Sequence, residues 1–378
     1  MSFLTFLILI LIKSKVQFYK LILSIFFVNA FLFLLYYYSY LHKITFTAGI
    51  AILFAHGVGY LLGPSFLYLV KSLVFSKERI LKPFFKTLIP FFIVFLLFNI
   101  PLFISITTGY LSSYHSFYTS IEIPFNILEN VFIVYYIIKT LAFLKRLNSL
   151  IEKNYANISA HNLQWYKHFI IGFLIIVILD FCLSIYEVFY TVDLWNVGNI
   201  IAFMFFFLYV YLGYKGLYQS QIFIPSFLLD ELDTVKVKDT LETDKLPKEK
   251  TKVRQLDSLK PNEIEDLELK LKKLLIEEKV YLDEELNLTK LSKKMNISNK
   301  KLSELINHQL KTTFYNLIND YRINDVKNRF KKGDTEKYTI ISIAFDAGFK
   351  SKASFYRIFK QKEGVSPSAY SSKYEKMS

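Results

Sequence analysis

Apolar residues are not spread evenly along this chain. Up to about residue 216 they form long runs, at roughly 21–40, 46–70, 87–107, 121–143, 169–190 and 197–216. Each run is long enough to span about 30 Å of hydrocarbon as a helix. A shorter run, Phe3–Ile12, precedes them. It has no basic segment before it and no small-residue cleavage site after it, so it makes a poor signal peptide. Either it is a stunted first helix or the true start lies upstream. From residue 262 the pattern changes to helical stripes. Ile264, Leu267, Leu271, Leu274 and Leu275 form one stripe, with Asn262 as a capping residue and Glu265 at the capping-box position.

The stripes continue as short elements. Leu288–Met295 predicts a helix, 295–298 a turn, and Ser298 caps a helix running to about Asn307. On that helix Leu302, Leu305 and Ile306 face inward, while Asn299, Lys300, Ser303, Glu304 and Asn307 face out. A longer helix follows over about Thr313–Lys331, with Phe314, Leu317, Ile318, Tyr321 and Val326 inside. Then the short pattern repeats. Ile341–Ala347 is a helix, Gly348 permits positive φ in the turn, and Ser351–Gln361 is a second recognition-type helix. Its outward residues are Lys352, Ala353, Tyr356 and Arg357; Ile358 and Phe359 point inward. Phe349 and Phe355 plug the core. Ser366 and Pro367 open a last helix through Tyr370. Two short helices joined by a tight turn, occurring twice, predict two helix-turn-helix units bridged by a long helix.

The fold class that follows is all-α: a polytopic helix bundle, then an all-helical domain. The domains are 1–218, a linker at 219–261, and 262–378. Within the linker, residues 229–262 are charged and without periodicity. Such a stretch buries too little to offset its ordering entropy and is expected to act as a flexible tether.

Charge sharpens this division. Residues 1–216 carry 15 Lys and Arg against 7 Asp and Glu, whereas residues 217–378 carry 31 and 25. Fourteen of the first 15 basic residues fall in alternate loops, including Lys71–Lys86 and Lys139–Lys167. By the positive-inside rule those loops and the C-terminal half are cytoplasmic, in a multi-pass inner-membrane protein. The last 91 residues hold 19 basic and 8 acidic side chains, the footprint expected of a DNA-binding surface. The alternative is a solvated basic surface on a partner-binding domain. The single Cys182 excludes an intrachain disulfide and a cysteine-based zinc site.

Ionisable groups inside the apolar runs are costly and therefore informative. Asp180 lies mid-run, Glu129 lies nearer the outer end, and His56 sits among Gly49, Gly57, Gly59 and Gly63. They are candidates for ligand sensing in the bundle. The competing reading makes Asp180 a hydrogen-bonded structural residue and the glycines points of close helix packing. No P-loop, nucleophile elbow, metal-ligand cluster or phosphate-accepting His box is present, so neither an enzyme nor a cofactor is expected.

The stretch Ile340–Tyr370 (IISIAFDAGFKSKASFYRIFKQKEGVSPSAY) resembles the signature of AraC-type transcription regulators. The upstream segment LNLTKLSKKMNISNKKLSELINHQLKTTFYNLINDYRINDVKNRF is similar to their first helix-turn-helix and linker helix. The resemblance covers about 262–376. The whole layout also resembles a group with a seven-helix membrane domain fused to this module, with GPSFLYLVKSL (Gly63–Leu73) as a looser match.

This resemblance implies two recognition helices entering successive major grooves. It places Lys300, Ser303 and Glu304 at base-facing positions of the first helix, with Asn299 and Asn307 flanking them. Lys352, Ala353, Tyr356 and Arg357 take those positions on the second, and Lys350, Ser351 and Lys360 are placed for phosphates. Glu304 departs from the many relatives with a basic residue there. It either accepts from cytosine N4 or pairs with Lys300 along the helix.

The expected function is that of a membrane-bound, sequence-specific transcription regulator. Its expected partners are double-stranded promoter DNA, the lipid bilayer, a second copy of the chain as a homodimer, and an unknown small-molecule or membrane signal. The alternative is a membrane transporter or receptor whose C-terminal domain is an interaction or regulatory module.

Overall fold

The computed structural model describes residues 17–54, 56–110, 112–157, 163–189, 194–217, 219, 222 and 261–375. These residues are helical, with no strand among them beyond one isolated bridge. The expected Phe3–Ile12 helix and the charged linker, apart from Pro261 and Asn262, lie outside the described residues. The chain packs as two units. One comprises Met1–Lys145 and Leu163–Phe223; the other comprises Arg146–Asn162 and Ile224–Ser378.

The first unit is built on α1 (Gln17–Leu41). The apolar run 46–70, read as one span, is broken into α2 (Thr45–Ile52) and α3 (Val58–Lys71). Gly57, at φ 73°, sits in the break. Next come α4 (Lys77–Thr87) and α5 (Ile89–Val94). A π-helical turn, Phe95–Asn99, joins α5 to α6 (Ile100–Thr108). Pro101 explains that turn: it brings no N–H to the Leu97 carbonyl four residues back and crowds it. The freed carbonyl instead accepts a hydrogen bond from the Tyr114 hydroxyl. The remaining helices are α7 (Ser112–Asn154), whose residues from Arg146 onward belong to the second unit, α8 (Gln164–Phe189) and α9 (Leu194–Leu217).

Among the described residues, five helical segments are long and apolar enough to cross a membrane: Phe18–Tyr36, Ile89–Thr108, Pro124–Asn154, Gln164–Leu183 and Ile200–Leu217. Phe26, Phe66 and Phe169 are fully buried and in ring contact, with centroids 5.2–6.0 Å apart. Tyr19 on α1 donates to the Gly216 carbonyl of α9 at 3.1 Å. Outward positions are also apolar, among them Leu96, Leu97, Val131 and Phe203, each at least 60% exposed. An exposed apolar belt of this kind is what lipid contact requires and water opposes.

In the second unit the helices are α10 (Pro261–Ile276), α11 (Leu288–Met295), α12 (Asn299–Glu304), α13 (Phe314–Lys331), α14 (Ile340–Asp346), α15 (Lys352–Glu363) and α16 (Pro367–Glu375). Asn262 lies within the first turn of α10 rather than before it. Pro261 occupies the first helical position, where its missing N–H costs nothing. The predicted third helix is shorter than read, because α12 gives way to a π-helical turn at Leu305–Gln309.

Two cores form around one helix. Phe314 and Ile318 of α13 pack with Leu288, Leu291, Leu302 and Ile306. Ile323, Val326 and Phe330 of the same helix pack with Ile343, Phe355 and Phe359. Thus α13 carries one helix-turn-helix unit on its first half and the other on its second.

Candidate nucleic-acid interface

Helix caps position both recognition elements. The Asn287 side chain accepts from Lys290 N at 2.9 Å and starts α11. Asn296 closes that helix in the left-handed conformation, φ 55°. Ser298 accepts from Lys301 N at 3.2 Å and opens α12. The second unit repeats the device. Thr339 caps α14 through Ser342 N, Gly348 turns at φ 91°, and Ser351 caps α15 through Ser354 N.

The outward faces differ between the two units. On α12, Lys300 is exposed and pairs with Glu304 at 3.9 Å, one turn along. This is the helix salt bridge, one of the two roles open to Glu304. Ser303 is buried at 6% exposure, contrary to its outward assignment. It borders the stripe of Leu302 and Ile306, and its hydroxyl accepts from the Asn307 amide at 3.0 Å. Asn299 is half-buried; it bonds to the Ser292 hydroxyl and donates to Thr289 Oγ1 at 3.1 Å, tying α12 to α11. Asn307 is half-buried as well. His308, Gln309 and Lys311, just past α12, are exposed. His308 and Gln309 escape the spacing argument because the π-helical turn that presents them breaks the 3.6-residue period.

On α15, Lys352, Ala353, Arg357 and Lys360 are exposed, and Tyr356 and Ser351 are half-buried. Lys352 lies over the Tyr356 ring at 5.7 Å. One Arg357 N–H donates to the Tyr315 hydroxyl of α13 at 2.9 Å, so the guanidinium is held by a buried partner. Burial pushes the Tyr315 hydroxyl pKa up, against the pull of Arg357. Lys350 pairs with Glu285, which holds its ammonium above the ordinary lysine value. Lys362 pairs with Asp320. The cationic face of α15 is therefore Lys352, Arg357 and Lys360.

Arg322 lies behind this surface with only 1% exposure. Its Nε donates to the Tyr281 carbonyl and its Nη2 to the Asp283 carbonyl, both at 2.8 Å. Burial lowers its pKa to about 10, so it remains charged at neutral pH. A Cβ on Gly348 would fall 2.5 Å from the same Tyr281 carbonyl. The turn of the second unit, the 280–283 segment and α13 thus meet at one crowded point.

The three sensing candidates are placed unequally. Glu129 and His56 come together at the break between α2 and α3. The Glu129 carboxylate accepts from Gly57 N at 3.2 Å and Gly59 N at 2.5 Å. His56 Nδ1 lies 2.5 Å from the Tyr118 hydroxyl. Asn99, which the sequence reading passed over, donates to the Leu53 and His56 carbonyls at 3.0 and 2.9 Å. In hydrocarbon a broken helix needs such partners for its freed backbone groups. Asp180 lies on α8, with its side chain outside those described. Among the described residues no group of three or more His, Cys, Asp or Glu is arranged to hold a metal ion.

Residues 291–373 match the family model of a helix-turn-helix domain, HTH_18. That stretch is an AraC-type helix-turn-helix domain, a module of DNA-binding transcription regulators. It runs from within α11, through α12 and the bridging helix, across the second helix-turn-helix unit. No curated protein and no solved structure matches the chain.

Proposed function

We propose that this protein is a membrane-embedded transcription regulator. Its apolar helices anchor it in the inner membrane with the C-terminal domain in the cytoplasm. Its second recognition helix carries the main cationic contact with promoter DNA. The observation that supports this reading is the face of α15, where Lys352, Arg357 and Lys360 project from a helix fixed on a buried core. Lys300 is partly neutralised by Glu304, so the first unit contributes mainly through shape and polar groups. The break at His56, Glu129 and Asn99 is the proposed sensing centre, because it is a polar point at which the bundle can rearrange. A homodimer would bring two such domains to adjacent half-sites and raise their occupancy by effective concentration.

The experiment is DNA binding by the full chain in detergent or nanodiscs, using duplexes selected from a random pool. Affinity is expected to fall linearly on a log scale with salt, with a slope of about −0.9 for each phosphate neutralised. Arg357→Ala is expected to weaken binding to the selected duplex by about 1–3 kcal/mol and to relax its base preference. Binding that ignores salt and survives that substitution would remove the reading.

A second expectation concerns the break. Asn99→Leu removes the donor to two carbonyls inside an apolar environment. Each orphaned carbonyl costs about 1–3 kcal/mol. The variant is expected to unfold in detergent at a visibly lower temperature than the native chain, as measured by loss of helicity. An unchanged transition would show that the break does not depend on Asn99.

A further inference from the structure

The second unit contains a segment that its DNA-binding role does not use. Residues 146–162 are remote in sequence from the helix-turn-helix units yet belong to the same compact body. Tyr155 forms an antiparallel bridge with Asn287, the cap of α11. Ala156 is 1% exposed and joins the first core beside Phe314 and Ile318. Its carbonyl accepts from the buried Asn319 amide at 3.0 Å. Ala156 and Asn157 face Tyr315, Phe349, Ser354 and Ile358 across a seam with no room for a water molecule. One short segment therefore touches α11, the bridging helix α13 and the second helix-turn-helix.

We propose that residues 154–157 are a docking element, and that the face of α13 around Tyr315 and Asn319 is its receptor within the same chain. The proposal rests on the membrane reading above for one point only, that α7 is a membrane-spanning helix. Residues 154–157 directly continue α7, so the docked segment joins the DNA-binding domain to that helix without passing through the linker. The segment packs against Tyr315, and Tyr315 holds Arg357. The exposed Lys352 and Lys360 are not covered by the segment, so docking leaves the cationic face open. A packed segment can transmit a displacement through its contacts.

The test uses the full chain in membranes with Cys182→Ser, Tyr155→Cys and Asn287→Cys. Antiparallel bridge partners lie about 4.5–5.5 Å apart between Cα atoms, within the range a disulfide spans. A protease site is inserted between residues 219 and 260. After mild oxidation and cleavage, the two fragments are expected to stay joined until reductant is added. Adding Ala156→Asp is expected to lower the yield at least about tenfold, since it buries an unpaired carboxylate. Hydrogen exchange of α13 and α15 in that variant must stay protected, which separates undocking from unfolding.

A yield no higher than in the single-cysteine chains would overturn the proposal, and so would a yield that Ala156→Asp leaves unchanged. The same chains are assayed for salt-dependent duplex binding. Loss of DNA binding alongside a strong cross-link would contradict the regulator reading and leave docking standing.

Discussion

Replacing Arg322 with methionine is expected to destabilise the DNA-binding domain by on the order of 3 kcal/mol or more. The side chain is fully buried and donates to two carbonyls, those of Tyr281 and Asp283, at 2.8 Å each. Methionine fills much of the same volume but donates nothing. Each carbonyl left buried without a partner costs about 1–3 kcal/mol. Part of the loss is offset because a buried cation no longer has to be desolvated. The Arg322 guanidinium also lies 5.9 Å from the Phe349 ring, so the second helix-turn-helix loses a contact too. Hydrogen exchange on the full chain checks this: amides of α13, α14 and α15 should lose protection together. A native exchange pattern would mean that the Tyr281 and Asp283 carbonyls find other donors.

Phe355→Ala is the second large effect, at about 3–5 kcal/mol. Phe355 is fully buried at the start of α15 and touches Phe349 and Phe359, with ring centroids 5.2 and 5.6 Å away. Deleting the ring leaves a cavity under the helix that presents Lys352, Arg357 and Lys360. Arg357 depends on that helix position to reach Tyr315. DNA affinity is therefore expected to fall along with stability. Phe355→Leu, which keeps most of the volume, is expected to lose far less of either. Binding measured well below the unfolding transition distinguishes a displaced helix from an unfolded one. Equal losses from Ala and Leu would show that the cavity is not the cause.

The elements that the sequence made legible are those whose signals are local. Leu288–Met295 was read with its bounds correct, because a leucine stripe is bracketed by turn-forming residues on both sides. Ser298 and Ser366 are legible as caps for the same reason, and each makes its bond in the structure; Ser351, read as the first residue of its helix, is the cap before it. What escaped depended on partners far along the chain. An arginine mid-helix reads as a solvent-facing residue, yet Arg322 is buried because Tyr281 and Asp283, some forty residues earlier, offer carbonyls. The run 46–70 read as one span because its apolar residues are continuous. It breaks because Asn99 and Glu129 supply partners to the backbone around Gly57. Ser303 was misplaced by one face, since a serine beside Leu302 fits either side of a short helix. The link between residues 154–157 and α13 is a contact across more than 150 positions, and no local pattern announces it.

On the second recognition helix Tyr356, which its spacing placed outward, is half-buried. Lys352, Ala353 and Arg357 are exposed as their spacing predicted. On the first, a π-helical turn replaces the last helical turn and moves the outward positions to His308 and Gln309. Tyr315 and its bond to Arg357 lay outside any sequence argument, because α13 and α15 meet only in the folded domain.

The most direct test of the central claim is capture of a selected promoter duplex by sealed membrane vesicles carrying the full chain. Inside-out vesicles expose the cytoplasmic face and are expected to bind the duplex, with affinity falling steeply with salt and reduced by Arg357→Ala. Right-side-out vesicles are expected to bind none until they are opened with detergent. Binding by right-side-out vesicles, or by neither kind before or after detergent, would contradict a membrane-embedded regulator whose DNA-binding domain faces the cytoplasm.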